Sequence, residues 1–175
     1  MLKLLAVGDV VGEGGMEIIR RRLPALKKEL GAQLCIVNGE NADPSGTGLH
    51  RTVAAELQSY GADIITTGNH ALRRALPSFY EENETILCPA NFYWAEPAFG
   101  QCVYDLGRYR IAVQNLSGVA FMDAAKSPFD LFDSFYKNCG TPFVVVDFHG
   151  EATAEKQAFA YYVAERASVV FGTHT

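Results

Sequence analysis

Gln33-Leu34-Cys35-Ile36-Val37-Asn38-Gly39-Glu40-Asn41 is the stretch on which the reading of the fold turns. Gln33 to Val37 reads as a short apolar strand. It stops abruptly in an amide, a glycine, a carboxylate and a second amide. The same design recurs on both sides of it. Leu2–Val7 runs into Gly8-Asp9, and Asp63–Thr66 leads to Gly68-Asn69-His70. Phe143–Asp147 leads to His149-Gly150-Glu151, and Ser168–Phe171 to Gly172-Thr173-His174. Helical spacing fills the intervals, at Met16–Leu30, Thr52–Tyr60, Ala71–Glu82, Phe129–Cys139 and Ala152–Arg166. Pro24 marks a kink or a later start in the first of these, and Gly31 its stop. Thr85–Leu87 reads as a short strand. Gln101–Leu106 and Arg110–Asn115 flank Gly107 as a β-hairpin. Strands alternating with helices imply parallel βαβ units, and the hairpin adds antiparallel pairing. The expectation is an α/β fold.

Composition narrows the function. The chain has 175 residues, 49% hydrophobic and 20% charged, which suits one domain with a sizeable core. Fifteen basic against twenty acidic residues give a formal charge of −5. Long nucleic acid is disfavoured, because its binding needs a basic face. A small phosphate ligand is not, since a metal can supply local positive charge. The apolar run ended by Gly8-Asp9 is too short for a signal peptide or a membrane span. Cys35, Cys88, Cys102 and Cys139 form no C-x-x-C pair, which fits a reducing cytoplasm.

In open α/β sheets, ligands bind beyond the carboxyl ends of the strands. The polar groups at the five strand ends are therefore expected to converge. Carboxylates, imidazoles and amide oxygens are hard-to-borderline metal ligands. Two metals about 3.5–4 Å apart can clamp a phosphate and activate a water. Taken alone, Asp9 or Asn41 would read as a turn residue, and His50 as an ordinary histidine near a helix start. Gly8 to Gly15 matches neither nucleotide-loop spacing, and no Lys-Ser/Thr follows.

Six segments in order extend the argument: Gly8-Asp9-Val10-Val11-Gly12, Asn38 to Ala42, Gly68-Asn69-His70, Pro89-Ala90-Asn91-Phe92, Asp147 to Lys156, and Gly172 to Thr175. Together they resemble the bacterial YmdB-like family. This is a branch of the calcineurin-like metallophosphoesterases associated with 2′,3′-cyclic nucleotide phosphodiesterase activity. The resemblance implies a single metallophosphoesterase domain over residues 1–175, an α/β sandwich of two mixed sheets flanked by helices. It implies two metal ions, iron or manganese first and zinc also possible. Glu40 would bridge them, Asp9 and Asn41 would hold one, and Asn69, His149 and His174 the other. His70 would face the substrate as general acid or phosphate donor, with Asn91 a candidate substrate contact.

The chain departs from the family pattern twice. The family's last motif runs past Thr175 to a second histidine, a ligand of the Asp9 metal, and then to further strands of the second sheet. That sheet is therefore expected to be incomplete here, one metal weak or absent, and association into homo-oligomers favoured. Ala71-Leu72-Arg73-Arg74 also stands where the family usually has an aromatic and an acidic residue. The lead reading is a metal-dependent phosphodiesterase acting on a small phosphodiester such as a 2′,3′-cyclic nucleotide. The rival is an inactive remnant with one metal or none that serves as a binding protein.

Overall fold

A computed structural model describes residues 1–123 and 125–175. Contacts divide the chain into two compact units, Met1–Ile86 and Leu87–Thr175.

The first unit is built on β1 (Leu4–Val7), β2 (Leu34–Asn38) and β3 (Ile64–Thr66), with β4 (Ile86–Leu87) at its border, in the order β1-β2-β3-β4. β1 pairs parallel with β2, and β2 with β3. β2 is buried at every position, as its unbroken apolar run requires. The connecting helices are α1 (Gly12–Leu30) and α2 (Arg51–Ser59). α1 passes through Pro24 without ending and stops where Gly31 adopts φ 63°. Pro24 is exposed, so the carbonyl it leaves unbonded can face water.

The predicted helix Ala71–Glu82 is only Pro77–Glu81, α3. Leu76 is extended, as the residue before a proline prefers, and this delays the helix to Pro77. The displaced turn is fixed another way, by the Tyr80 hydroxyl donating to the Ala71 carbonyl at 2.6 Å.

The second unit holds β5 (Gln101–Asp105), β6 (Arg110–Ser117), β7 (Phe143–Gly150) and β8 (Val169–His174), in that order across one sheet. β5 and β6 form the expected antiparallel hairpin, while β6-β7 and β7-β8 are parallel. α4 (Pro128–Asn138) and α5 (Thr153–Val163) supply the crossovers. Their apolar faces bury Phe132 and Phe159 fully, against Ala112, Leu116, Val144, Val146 and Phe148. The Phe148 and Phe159 rings lie 4.5 Å apart, and Phe132 meets Phe159 edge-on at 5.7 Å. Each such ring is worth roughly 1.5–3 kcal/mol of apolar burial.

Candidate active site

In the first unit, the turns after β1 and β2 are laced together. Val10 N–H donates to the Asn38 carbonyl at 2.9 Å, and Gly12 N–H to that of Asn41 at 2.8 Å. This backbone lacing places Asp9, half-buried, beside the Glu40-Asn41 turn. Glu40 is fully buried. A buried carboxylate needs partners, and these come from its own turn and from the turn after β3. Asn41 Nδ2 donates to Glu40 Oε1 at 3.1 Å, and the His70 backbone N–H donates to Oε2 at 3.2 Å.

The first of those bonds fixes the Asn41 amide, because only the nitrogen can donate to a carboxylate. Asn41 Oδ1 then faces His70 Nδ1 at 2.7 Å and must accept from it. His70 therefore carries a proton on Nδ1, which leaves Nε2 to exchange one. The ring is partly exposed, so Nε2 chemistry has access to solvent. Asn69 is half-buried beside it.

A second ring of bonds lies behind these turns. Asp43 accepts from the Ser45 hydroxyl at 2.5 Å and the Ser45 backbone N–H at 2.9 Å. Those bonds first, with Arg74 and His50 adding charge, hold its carboxyl below the usual carboxylate range. Arg74 Nε is 3.7 Å from Asp43, and its Nη2 donates to Ser45 Oγ at 3.1 Å. Gly48, at φ 88°, touches the same arginine. A Cβ there would lie 2.5 Å from Arg74 Cγ. His50 caps α2, its Nδ1 accepting from Val53 N–H at 3.3 Å.

In the second unit, His149 and Thr173 are register partners on β7 and β8. The Thr173 hydroxyl donates to Asp147 Oδ1 at 2.7 Å. Having one hydrogen, it must accept at His149 Nδ1, 3.0 Å away. His149 thus bears its proton on Nδ1 and a lone pair on Nε2, the form a metal-ligating histidine takes. His174 stands next to it, the rings 4.8 Å apart. Its Nε2 is 2.9 Å from Glu151 Oε2, and its backbone is held at φ 82°, which side-chain-bearing residues rarely adopt.

Asn91 is otherwise employed. It is fully buried; its Nδ2 donates to the carbonyls of Ser117 (2.7 Å) and Lys126 (3.0 Å), and its Oδ1 accepts from Ser117 N–H at 2.8 Å. It fastens the irregular segment after β6 and has no surface with which to touch a ligand. Glu155 fastens the same segment from α5, accepting from Val119 N–H at 2.9 Å and Ala120 N–H at 3.1 Å.

Sequence reasoning singled out candidate ligands and did not single out the groups that hydrogen-bond to them. Asp147 was detectable, because it lies two residues before His149 and so on the same strand face. Thr173 and Arg74 gave no such signal, since their roles depend on which strand or turn lies opposite.

The sequence model of the family described as YmdB-like protein matches residues 5–175. A 2′,3′-cyclic-nucleotide 2′-phosphodiesterase of Bacillus subtilis is 36% identical over 99% of this chain and 67% of its own length. The crystal structure of a hypothetical protein from Thermus thermophilus superposes with a TM-score of 0.89 at 34% identity, covering 98% of this chain and 67% of that one. That of a novel phosphatase of Mycoplasma pneumoniae gives 0.91 at 30%, covering 99% and 64%. The chain thus spans about two thirds of the length of these relatives.

Proposed function

The chain belongs to the YmdB-like family, and from that premise we propose that it is a metal-dependent phosphodiesterase acting on a small phosphodiester, a 2′,3′-cyclic nucleotide first. The observation that carries the proposal is the fixed direction of the hydrogen bond at His149. The Asp147–Thr173 pair holds its Nδ1 proton, which supports Nε2 as a ligand atom, since metal-ligating histidines donate their other ring N–H in this way. Asp9, Glu40, Asn41, Asn69, His149 and His174 are the residues that would hold the metal ions. This donor set of carboxylate, amide and imidazole suits iron, manganese or zinc. When bound, the two ions neutralise phosphate charge and activate a water.

The remaining work falls to the chain's own groups. His70 is steered through Nδ1 by Asn41; with both ring nitrogens protonated, its Nε2 would give a proton to the departing ribose oxygen, otherwise a poor leaving group, and the ring would return to the neutral Nδ1–H form. Glu40 holds the backbone of His70 against the same turn, so metal holder and proton donor keep register.

The test is hydrolysis of 2′,3′-cyclic AMP and of bis(p-nitrophenyl) phosphate with added manganese or iron, together with metal content by mass spectrometry. Turnover that EDTA removes and manganese restores is expected. His149→Ala should cost metal, whereas His70→Gln should keep metal and lower kcat about 10²–10⁴-fold. A chain that binds no metal and cleaves neither ester overturns the proposal and leaves a binding protein on the same scaffold.

A further inference from the structure

The turn after His70 carries two consecutive arginines with different surroundings. Arg74 is engaged by Asp43 and Ser45. Arg51, at the start of α2, is paired with Glu82 at 2.6 Å and lies over the Phe79 ring. Arg73 is exposed, and its guanidinium has no ion pair or hydrogen bond among the described residues. In a chain of net charge −5, it is an uncompensated cation close to the proton donor.

Its root is fixed. Arg73 N–H donates to the His70 carbonyl at 2.9 Å, which closes a tight turn and keeps the two residues together. Arg73 Cβ lies against Gly48, where an added Cβ would come within 3.0 Å of it. The Ala71 carbonyl is pinned by Tyr80, and Arg74 is held from the opposite turn. Leu72, 42% exposed, stands beside it and offers apolar contact. A guanidinium presents a planar fork that matches the two oxygens of a phosphate or carboxylate, and this one is carried on backbone tied to His70.

We infer that Arg73 is a substrate-binding residue that takes a second anionic group of the ester, outside the phosphodiester that is cleaved. The inference rests on the reading of His70 as the group facing the substrate. On that reading the metals and His70 would serve the reacting phosphate, and Arg73 follows His70 in the same turn. The preferred substrates are therefore phosphodiesters that carry another phosphate, such as a 2′,3′-cyclic nucleotide bearing a 5′-phosphate. Arg74 is the positioning residue that sets the turn.

The experiment compares kcat/KM for 2′,3′-cyclic AMP with and without a 5′-phosphate, in wild type, Arg73→Ala, Arg73→Lys and Arg73→Glu. The ratio of the two should fall about three- to tenfold in Arg73→Ala, through KM, the range of an exposed charge-assisted contact. Lysine should keep part of it, and glutamate should lower it further. Salt should erode the ratio in wild type but not in Arg73→Ala. Damage to the fold would lower both substrates alike. A ratio unchanged in Arg73→Ala and Arg73→Glu overturns the inference. If wild type hydrolyses neither ester, the phosphodiesterase reading fails. Calorimetric binding of adenosine 3′,5′-bisphosphate then decides on Arg73, supporting it if Arg73→Ala binds more weakly and overturning it if binding is equal.

Discussion

Asp43 is two residues beyond Asn41 and belongs to no ligand set, yet it ties together Ser45, His50 and Arg74. Its carboxyl is held below the ordinary value of 3.8, so the folded protein favours the ionised form more than the unfolded chain does. The sign follows from linkage. The stabilisation is complete above the unfolded value and is lost as pH falls from there through the depressed folded value. Asp43→Asn should therefore destabilise the protein at pH 7 but leave stability less pH-dependent below about pH 4, a difference that urea titrations at several pH values would reveal. Thiols supply a second residue-scale test. Burial pushes Cys35 up to about 11 and Cys88 up to about 12, whereas Cys102 is partly exposed. A thiol-specific reagent at pH 8 should find Cys102 first, and Cys102→Ser should remove the fast phase.

At the scale of elements, the strands were plain in the sequence because each is an apolar run with polar punctuation. The elements bounded by proline and glycine were harder. α1 begins at Gly12, inside a glycine-rich stretch of poor helix formers, because the Gly12 N–H is tied to Asn41 on the next turn. That tie is between residues far apart in sequence and leaves no local trace. Arg73 and Arg74 fell inside the expected helix Ala71–Glu82, whereas the helix starts only at Pro77 and leaves both in the turn before it. The turns that carry the candidate ligands stood out as a set, while the bonds that orient their side chains did not, since strand register decides them. In the second unit the aromatic cluster carries the packing of α4 and α5. Phe159→Ala should cost about 3–5 kcal/mol by chemical denaturation, as removal of a fully enclosed ring does. Gly118 is confined for a different reason. A Cβ there would collide with Glu155 Oε2, so Gly118→Ala should displace the carboxylate that holds Val119 and Ala120.

For the whole molecule, no described helix is long and apolar enough to cross a membrane. The formal charge of −5 suits a protein that draws anionic substrate by local cations rather than by a general basic field. Metal binding to the native state alone should raise Tm in proportion to the logarithm of free metal. Manganese added to EDTA-treated protein is expected to raise Tm in wild type and to have a much smaller effect in Glu40→Ala, as scanning calorimetry would show.

The hydrogen of Thr173 points to Asp147, and this has a consequence for substitution at that position. Valine has nearly the same shape as threonine and would fill the same space, yet it would remove both the donor to Asp147 and the acceptor at His149 Nδ1. Serine is smaller and a poorer strand former, yet it would preserve the direction of the relay. Tolerance at residue 173 should therefore follow hydroxyl chemistry and not volume. Nitrogen-15 spectra should show His149 remaining in one tautomer in Thr173→Ser and becoming a mixture in Thr173→Val.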